Sequence, residues 1–373
     1  MRRVALLSLL HDKGKLAAAV AGVAFAGMLV LTQSGIYQGF RVTSSTLIEH
    51  VGGDLWITGR GCPVLDNGEP LSAGVRMLAR SQPGVARVRP LVFSFMHARK
   101  RGGGVEYVQV VGTDATPGRL VPWTFESGLP GDIQGSRVAL DRSDLRKLEL
   151  PERPLGAALE VGDETLTVAA VTEGIHGFTL SPYIFTEATT ARRVLGMTEE
   201  QATYWIVDLA DPSAAADVKR RVEEHPELTV WTRAEFARAT EDYWVNGSGA
   251  GTALAVSALL GVIVGIVIVS QTLYTLTTEH LRELATFKAI GATGAELASF
   301  VTVQAGFLAL VGGGLGVVMA FLGKGVVSGA GLTVVLSPGV LALGVGTIVG
   351  ICAVASVGSV RAVLRVEAAR VFQ

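Results

Sequence analysis

The six histidines and two cysteines are the residues of this chain with the widest chemical repertoire, and their spacing assembles no catalytic or metal site. His97, His176 and His225 are scattered, and none lies in an HExxH, CxxC or closely spaced carboxylate pattern of the kind that holds a metal. Glu223, Glu224 and His225 are consecutive, but neighbours on a helix point to different sides, so they read as a solvated helix end. There is no GxSxG elbow and no GxxxxGK[ST] phosphate loop: Gly323-Lys324 lacks the leading glycine and lies at the edge of an apolar run. The expectation is a non-enzymatic chain, with no catalytic residue, no bound cofactor and no metal. If nucleotide energy is used, another polypeptide must bind the nucleotide. Cys62 lies in a polar region and Cys352 inside an apolar run, so pairing them would need one sulfur in the bilayer and one in water. Cys62 reads as a free thiol or an external attachment point, and Cys352 as a small packing residue.

The elements that surround these residues are dominated by lipid-compatible runs. Apolar residues make up 49% of the 373, charged residues only 17%, and the mean hydropathy is +0.44. A net charge of -1 gives no footing for nucleic-acid binding, which needs a concentrated excess of Lys and Arg. A spanning helix needs about 20 apolar residues, and the stretches 16–40, 247–278, 297–323 and 337–360 qualify without one charged side chain. The first reads as a retained anchor, because its uncharged run is longer than a signal-peptide core and no small-x-small cleavage pattern closes it before Arg41. With no ionisable residue in any span, an intramembrane proton relay or ion site has no candidate. Gly261 and Gly265, Gly312 and Gly316, and Gly346 and Gly350 stand at GxxxG spacing, read as helix packing.

Lys and Arg near the span ends set the orientation. Arg2, Arg3, Lys13 and Lys15, then Arg282 and Lys288, then Arg361, Arg365 and Arg370 belong inside, whereas the loop 324–336 has only Lys324. A multi-pass membrane protein with both termini cytosolic follows, and the family resemblance given below implies the bacterial cytoplasmic (inner) membrane. It comprises a cytosolic segment 1–15, an external domain 41–246, a cytosolic segment 279–296, a short external loop 324–336 and a cytosolic tail 361–373. The domain 41–246 reads as α+β. Strands are predicted at 54–58, 105–111, 165–172 and 204–209 from β-branched and aromatic residues, and helices at 72–80, 189–195 and 214–224. Pro83-Gly84, 101–104, Pro117-Gly118 and Pro130-Gly131 read as turns. The stretch 112–159 is the least periodic and reads as a subdomain or mobile insert.

Residues 279–292 carry the most specific pattern. Leu281, Leu284, Phe287 and Ile290 or Ala285 recur at helical spacing, Arg282, Glu283 and Lys288 supply polar surface, and Gly291 suits a helix stop. The pattern alone leaves two readings: a loop lying at the headgroups, or a helix that docks into a groove of a cytosolic partner.

This segment and the run before it resemble the FtsX/MacB class of ABC transporter permeases, and are most similar to its DevC-like branch. The resemblance rests on Tyr243-Trp244 ahead of span two, on a VGxVIVxQxLY-like run at 264–274, and on HLxExATxKAxG at 280–291. The tail 365–372 is similar to the family tail, with Glu367-Ala368 in place of Asp-Pro. The resemblance implies a MacB/FtsX-like permease fold, with one span, a large α+β extracytoplasmic domain and three further spans. It implies a homodimer, or paired permeases, bound to two copies of a cytosolic ABC ATPase that holds ATP and Mg, and in DevC-like systems a periplasmic adaptor of the HlyD type. Glu279, His280, Leu281, Arg282, Glu283, Thr286, Phe287 and Lys288 would form the ATPase-coupling element, apolar members as anchors and charged ones setting orientation. The implied function is mechanotransmission, coupling ATP hydrolysis to export or extrusion of a lipid, glycolipid, peptide or drug among the membrane lipids. The alternative is an FtsX-like regulator of an external cell-wall hydrolase. A membrane-anchored enzyme acting through 41–246 lacks a catalytic constellation.

Overall fold

The computed structural model describes residues 2–11, 13–114, 122–329 and 332–364. In chain order its elements are α1 (Arg2–His11), α2 (Lys13–Val51), β1 (Leu55–Gly59), α3 (Ala73–Arg80), β2 (Val85–Arg99), β3 (Val105–Thr113), β4 (Phe125–Ser127), β5 (Arg137–Asp141), β6 (Ala158–Val161) and β7 (Glu164–Thr172). Then follow β8 (Tyr183–Glu187), α4 (Ala188–Val194), β9 (Tyr204–Leu209), α5 (Ala215–Val222), β10 (Leu228–Thr232), α6 (Arg233–Asp242), α7 (Ala250–Glu279), α8 (Leu281–Ala289), α9 (Gly294–Gly329) and α10 (Pro338–Leu364). They form two compact units: a helical unit, Met1–Gly39 with Ala250–Gln373, and an α+β unit, Phe40–Gly249.

Among the described residues four helices, α2, α7, α9 and α10, are long and apolar enough to cross a membrane. Each reaches beyond the apolar run that announced it. α2 continues through the polar residues after Phe40, where the hydroxyls of Ser44 and Thr46 donate to the carbonyls of Arg41 and Val42, both at 2.7 Å. Its last turns bury Leu47, Ile48 and Val51 in the α+β core. It stops at Gly52 and Gly53, whose φ values of 69° and 87° suit glycine.

One ten-stranded sheet organises the α+β unit, in the order β10-β1-β9-β2-β3-β8-β5-β7-β4, with β6 on β2 and β7. Pairing is antiparallel except between β3 and β8 and between β5 and β7. Alternate residues build two faces. Trp56, Phe93, Phe185, Tyr204 and Ile206 meet α2 and Phe236 of α6 on one side. On the other, Leu55, Ile57, Trp205 and Val207 meet α3 and α5, and Val92, Val138, Leu140 and Ile184 meet α4. Covered on both faces, the central strands read as continuous apolar runs. β2 was hidden in the sequence by Arg89 and Pro90: Arg89 is 5% exposed and donates through Nε to Asp208 at 2.8 Å, a paired buried charge in mid-strand. The stretch 112–159, expected to be a subdomain or insert, is corrected by β5, which lies inside the sheet between β8 and β7. The predicted turn Pro117-Gly118 and the tail 365–372 lie outside the described residues.

In the helical unit, Val23, Ala26 and Val30 of α2 pack with Val269 and Leu273 of α7, Leu308 of α9, and Ile348 and Ile351 of α10. Glycines set the spacing. A Cβ on Gly312 would meet Val23 at 2.6 Å, and one on Gly316 would meet the Ala24 carbonyl at 2.7 Å and the Gly27 Cα at 3.2 Å. A Cβ on Gly346 or Gly350 would meet nothing within 4 Å. Of the three GxxxG pairs, Gly312 and Gly316 therefore permit the approach of α9 to α2, and the α10 pair faces open space among the described residues.

Cys352 is buried among these helices, so in a Cys62→Ala background it is the only thiol and reports opening of the bundle. Gly312→Leu should lower the thermal midpoint of dye labelling in detergent by the equivalent of about 1–3 kcal/mol of overpacking. Gly346→Leu should shift it by no more than about 0.5 kcal/mol. Equal midpoints for the two variants would contradict the packing.

Candidate functional site

The charged segment between the second and third spanning helices folds into a short helix. α7 ends at Glu279, whose carboxylate pairs with Lys15 at 3.0 Å. His280 breaks the helix, and its Nδ1 lies 3.2 Å from Glu283 Oε2. α8 closes with a Schellman motif: Ala292 N–H donates to Phe287 O at 2.9 Å and Gly291 N–H to Lys288 O at 3.1 Å, with Gly291 at φ 106°. Thr293 and Glu296 then cap α9, Glu296 Oε2 accepting from Thr293 N–H at 2.8 Å and Thr293 Oγ1 accepting from Glu296 N–H at 3.3 Å. Lys288 Nζ donates to the Leu364 carbonyl at the end of α10, 3.1 Å away. Such tight ends fix which face of α8 is inward.

That inward face is the apolar one. Leu284 is buried in a cluster with Ala5 of α1, Leu297, Phe300 and Val301 of α9, and Val363 of α10, and Leu281 and Phe287 are half-buried against it. Gln304 of α9, fully buried, ties in α1 by donating to Ser8 Oγ at 3.3 Å. Leu281 and Phe287, the anchors expected to enter a partner, thus rest against this chain's own cluster while staying half-exposed. The outward face consists of Glu283, Thr286, Ala289 and Ile290, and Ile290 is 80% exposed. The structure brings Glu279, His280, Glu283 and Lys288 into polar contacts around α8, and the side chain of Arg282 lies outside the described residues. Ile290, which the sequence pattern grouped with Leu281, Leu284 and Phe287, is turned outward instead, and neither it nor Ala289 was among the predicted coupling residues.

Tyr243 and Trp244 form a single π-helical turn, Tyr243–Gly247, in the α+β unit. Trp244 Nε1 donates to Asp66 Oδ2 at 3.0 Å, and its ring lies 4.4 Å from that of Phe178, which meets Phe40 edge-on at 5.6 Å. Burial pushes the Asp66 carboxyl up to about 6, partly opposed by the Trp244 hydrogen bond.

The other residues with chemical potential are held structurally. Ser143 Oγ lies 3.1 Å from His176 Nδ1, and Asp141 Oδ1 approaches the same nitrogen at 3.8 Å. Both on one nitrogen is not a relay, and Asp141 also accepts from Ser143 and Ile175 N–H groups in its turn. His225 pairs with Glu227 at 3.6 Å, and Glu223 accepts from Val230 N–H. Cys62 is buried and donates to Val64 O at 3.2 Å, and burial raises its thiol, which closes the attachment-point reading.

Residues 16–225 match the MacB-like periplasmic core domain family, and residues 255–368 match the FtsX-like permease C-terminal family. The macrolide export ATP-binding/permease protein MacB of Bartonella henselae is 26% identical over 225 residues, 58% of this chain and 33% of that protein. The chain thus spans about a third of the length of this curated relative. The periplasmic region of MacB from Actinobacillus actinomycetemcomitans is 14% identical, with TM-score 0.38, covering 51% of this chain and 93% of that one. The extracellular domain of the ABC-type transporter YknZ from Gram-positive bacteria is 12% identical, with TM-score 0.36, covering 48% and 99%.

Because the Asp66 carboxyl is raised in the fold from 3.8 to about 6, its neutral form contributes stability at low pH that is lost as pH rises through about 6. All five tryptophans lie in the α+β unit, so intrinsic fluorescence follows its unfolding. Asp66→Asn keeps an acceptor for Trp244 and should melt a few degrees above wild type at pH 7.5, with the gap closing toward pH 4. A gap that is constant with pH would contradict the burial of this carboxyl.

Proposed function

Since the chain belongs to the MacB-like periplasmic core domain family and carries an FtsX-like permease region, placing it in the FtsX/MacB class of ABC permeases, we propose that it converts ATP-driven closure of a partner ATPase into movement of its α+β unit. The output is export or extrusion of an amphipathic compound. In this reading the chain performs no catalysis itself, and ATP and Mg are held by the partner. α8 and both termini face the cytosol. α2 supports transmission: it is one uninterrupted helix that places Val23 and Val30 in the helical core and Leu47, Ile48 and Val51 in the α+β core. A second copy of the chain would cover the face of α7 that carries Leu259, Leu260, Ile263 and Val267, all exposed here.

The observation that carries the reading is Ile290. Its large apolar side chain is 80% exposed on a helix whose Leu284 side is already buried, and in this reading it is the anchor by which the partner docks. Glu283 and Thr286 flank it on the same side and orient the partner. The Schellman closure and the Lys288 bond to α10 make α8 a short rigid lever, so force applied at Ile290 reaches α9 and α10 through Leu284.

Ile290→Asp should therefore lower recovery of the ABC ATPase in mild-detergent affinity purification by about tenfold or more, as for loss of a buried apolar anchor worth about 2 kcal/mol. The thermal midpoint of the Cys352 reporter should not change. Phe287→Asp should instead lower that midpoint, because Phe287 packs on the chain's own cluster. Full ATPase recovery with Ile290→Asp would refute the assignment of this face.

A further inference from the structure

Where the spanning helices adjoin the α+β unit in sequence, the helical unit holds a groove of about 480 Å³ between α2, α7 and α10. Its origin is the extended stretch 332–337. Val335 N–H donates to the Gly35 carbonyl at 3.0 Å, and this strap lies so close that a Cβ on Gly39 would collide with Thr333 O. Ser337 then starts α10, its Oγ accepting from Val340 N–H at 3.3 Å. The strap takes the Gly35–Gly39 side of α2. The neighbouring side, with Ser34, Tyr37 and Gln38 at i, i+3 and i+4, lines the groove opposite Ala258 of α7 and Val340 and Leu343 of α10.

The lining is specific in two respects. No charged residue contributes to it, so an ionised headgroup would enter without a counter-ion, at high cost in a bilayer. Yet the Tyr37 hydroxyl and the Gln38 amide make no hydrogen bond to another described residue. In a hydrocarbon setting such groups favour an occupant that supplies both donors and acceptors. A volume of about 480 Å³ lies within the range of small-molecule sites, roughly 300–1,000 Å³.

We propose that this groove binds an acyl-chain amphiphile with an uncharged, hydroxyl-bearing head: the head at Ser34, Tyr37 and Gln38, the chain along Ala258, Val340 and Leu343. That the occupant is also the exported compound rests on the permease reading above; the binding itself does not.

The test uses the full chain in phosphatidylcholine nanodiscs, photolabelled with a diazirine-bearing monoacylglycerol or a diazirine fatty acid of equal length, and the adducts are mapped by mass spectrometry. Monoacylglycerol adducts should concentrate on the peptides carrying Tyr37-Gln38 and Val340–Leu343. Ala258→Trp, which fills the groove, should reduce them about tenfold, and Gln38→Leu should remove most of the preference over the fatty acid, each a change of about 1–2 kcal/mol. The Cys352 midpoint checks that both variants fold, and the Gln38→Leu comparison decides the matter if Ala258→Trp does not. Ile290→Asp should label like wild type even when it loses the ATPase, which separates failure of this site from failure of the coupling surface. Adducts spread evenly over lipid-facing residues such as Val264 and Val318, or undiminished by either groove variant, would mean annular lipid only and overturn the proposal.

Discussion

The approach of α9 to α2 at Gly316 and Gly27 is the contact on which the helical unit depends. Apolar side chains gain little by leaving lipid for a neighbouring helix, so spans associate through dispersion between backbones that come close. Gly312 admits Val23, Gly316 admits the Gly27 Cα, Gly344 admits Leu31, and Gly265 admits Ala26 and Ile351. The same economy produces the groove. Gly35 and Gly39 let the 332–337 strap lie on α2, and α10 enters beside the strap, leaving Tyr37 and Gln38 to face a gap.

With the spans fixed in this way, α1, α8, α9 and α10 share one cluster around Leu284 and Phe300. A nine-residue helix has little stability of its own. α8 acquires a definite orientation from three sources: the buried Leu284 and Ala285, the Gly291 closure, and the Lys288 bond to Leu364. A docking surface needs that rigidity, since a mobile loop would lose ordering entropy each time the partner engaged. The α+β unit meets a different constraint: in water its sheet must be covered on both faces, and α2, α6, α3, α5 and α4 provide the cover.

Much of this architecture was legible in the sequence because single-residue chemistry forces it. Uncharged runs of bilayer length cannot be anything but spans or deep core, and the strands 105–111, 165–172 and 204–209 were visible because β-branched and aromatic residues cluster there. The helix 214–224 was visible from Asp211, whose side chain does cap the turn at Ser213. β2 was not, because Arg89 and Pro90 interrupt its apolar run, and only a partner distant in sequence, Asp208, makes a buried arginine acceptable. β5 and β8 were not predicted either, though at five residues each they are as long as β1.

By itself the sequence determined the number of spans, the position of the α+β unit between the first and second, and the helical spacing of apolar residues in the charged segment up to Gly291. These follow from local hydropathy, turn chemistry and helical period. Tertiary structure alone decided that Leu281, Leu284 and Phe287 turn inward and Ile290 outward, that Gly312 and Gly316 are packing glycines whereas Gly346 and Gly350 are open, and that Cys62 is buried. Periodicity says that a helix has an apolar face. Which surface that face meets depends on residues such as Phe300 and Val363, brought beside it only by the packing of the spans.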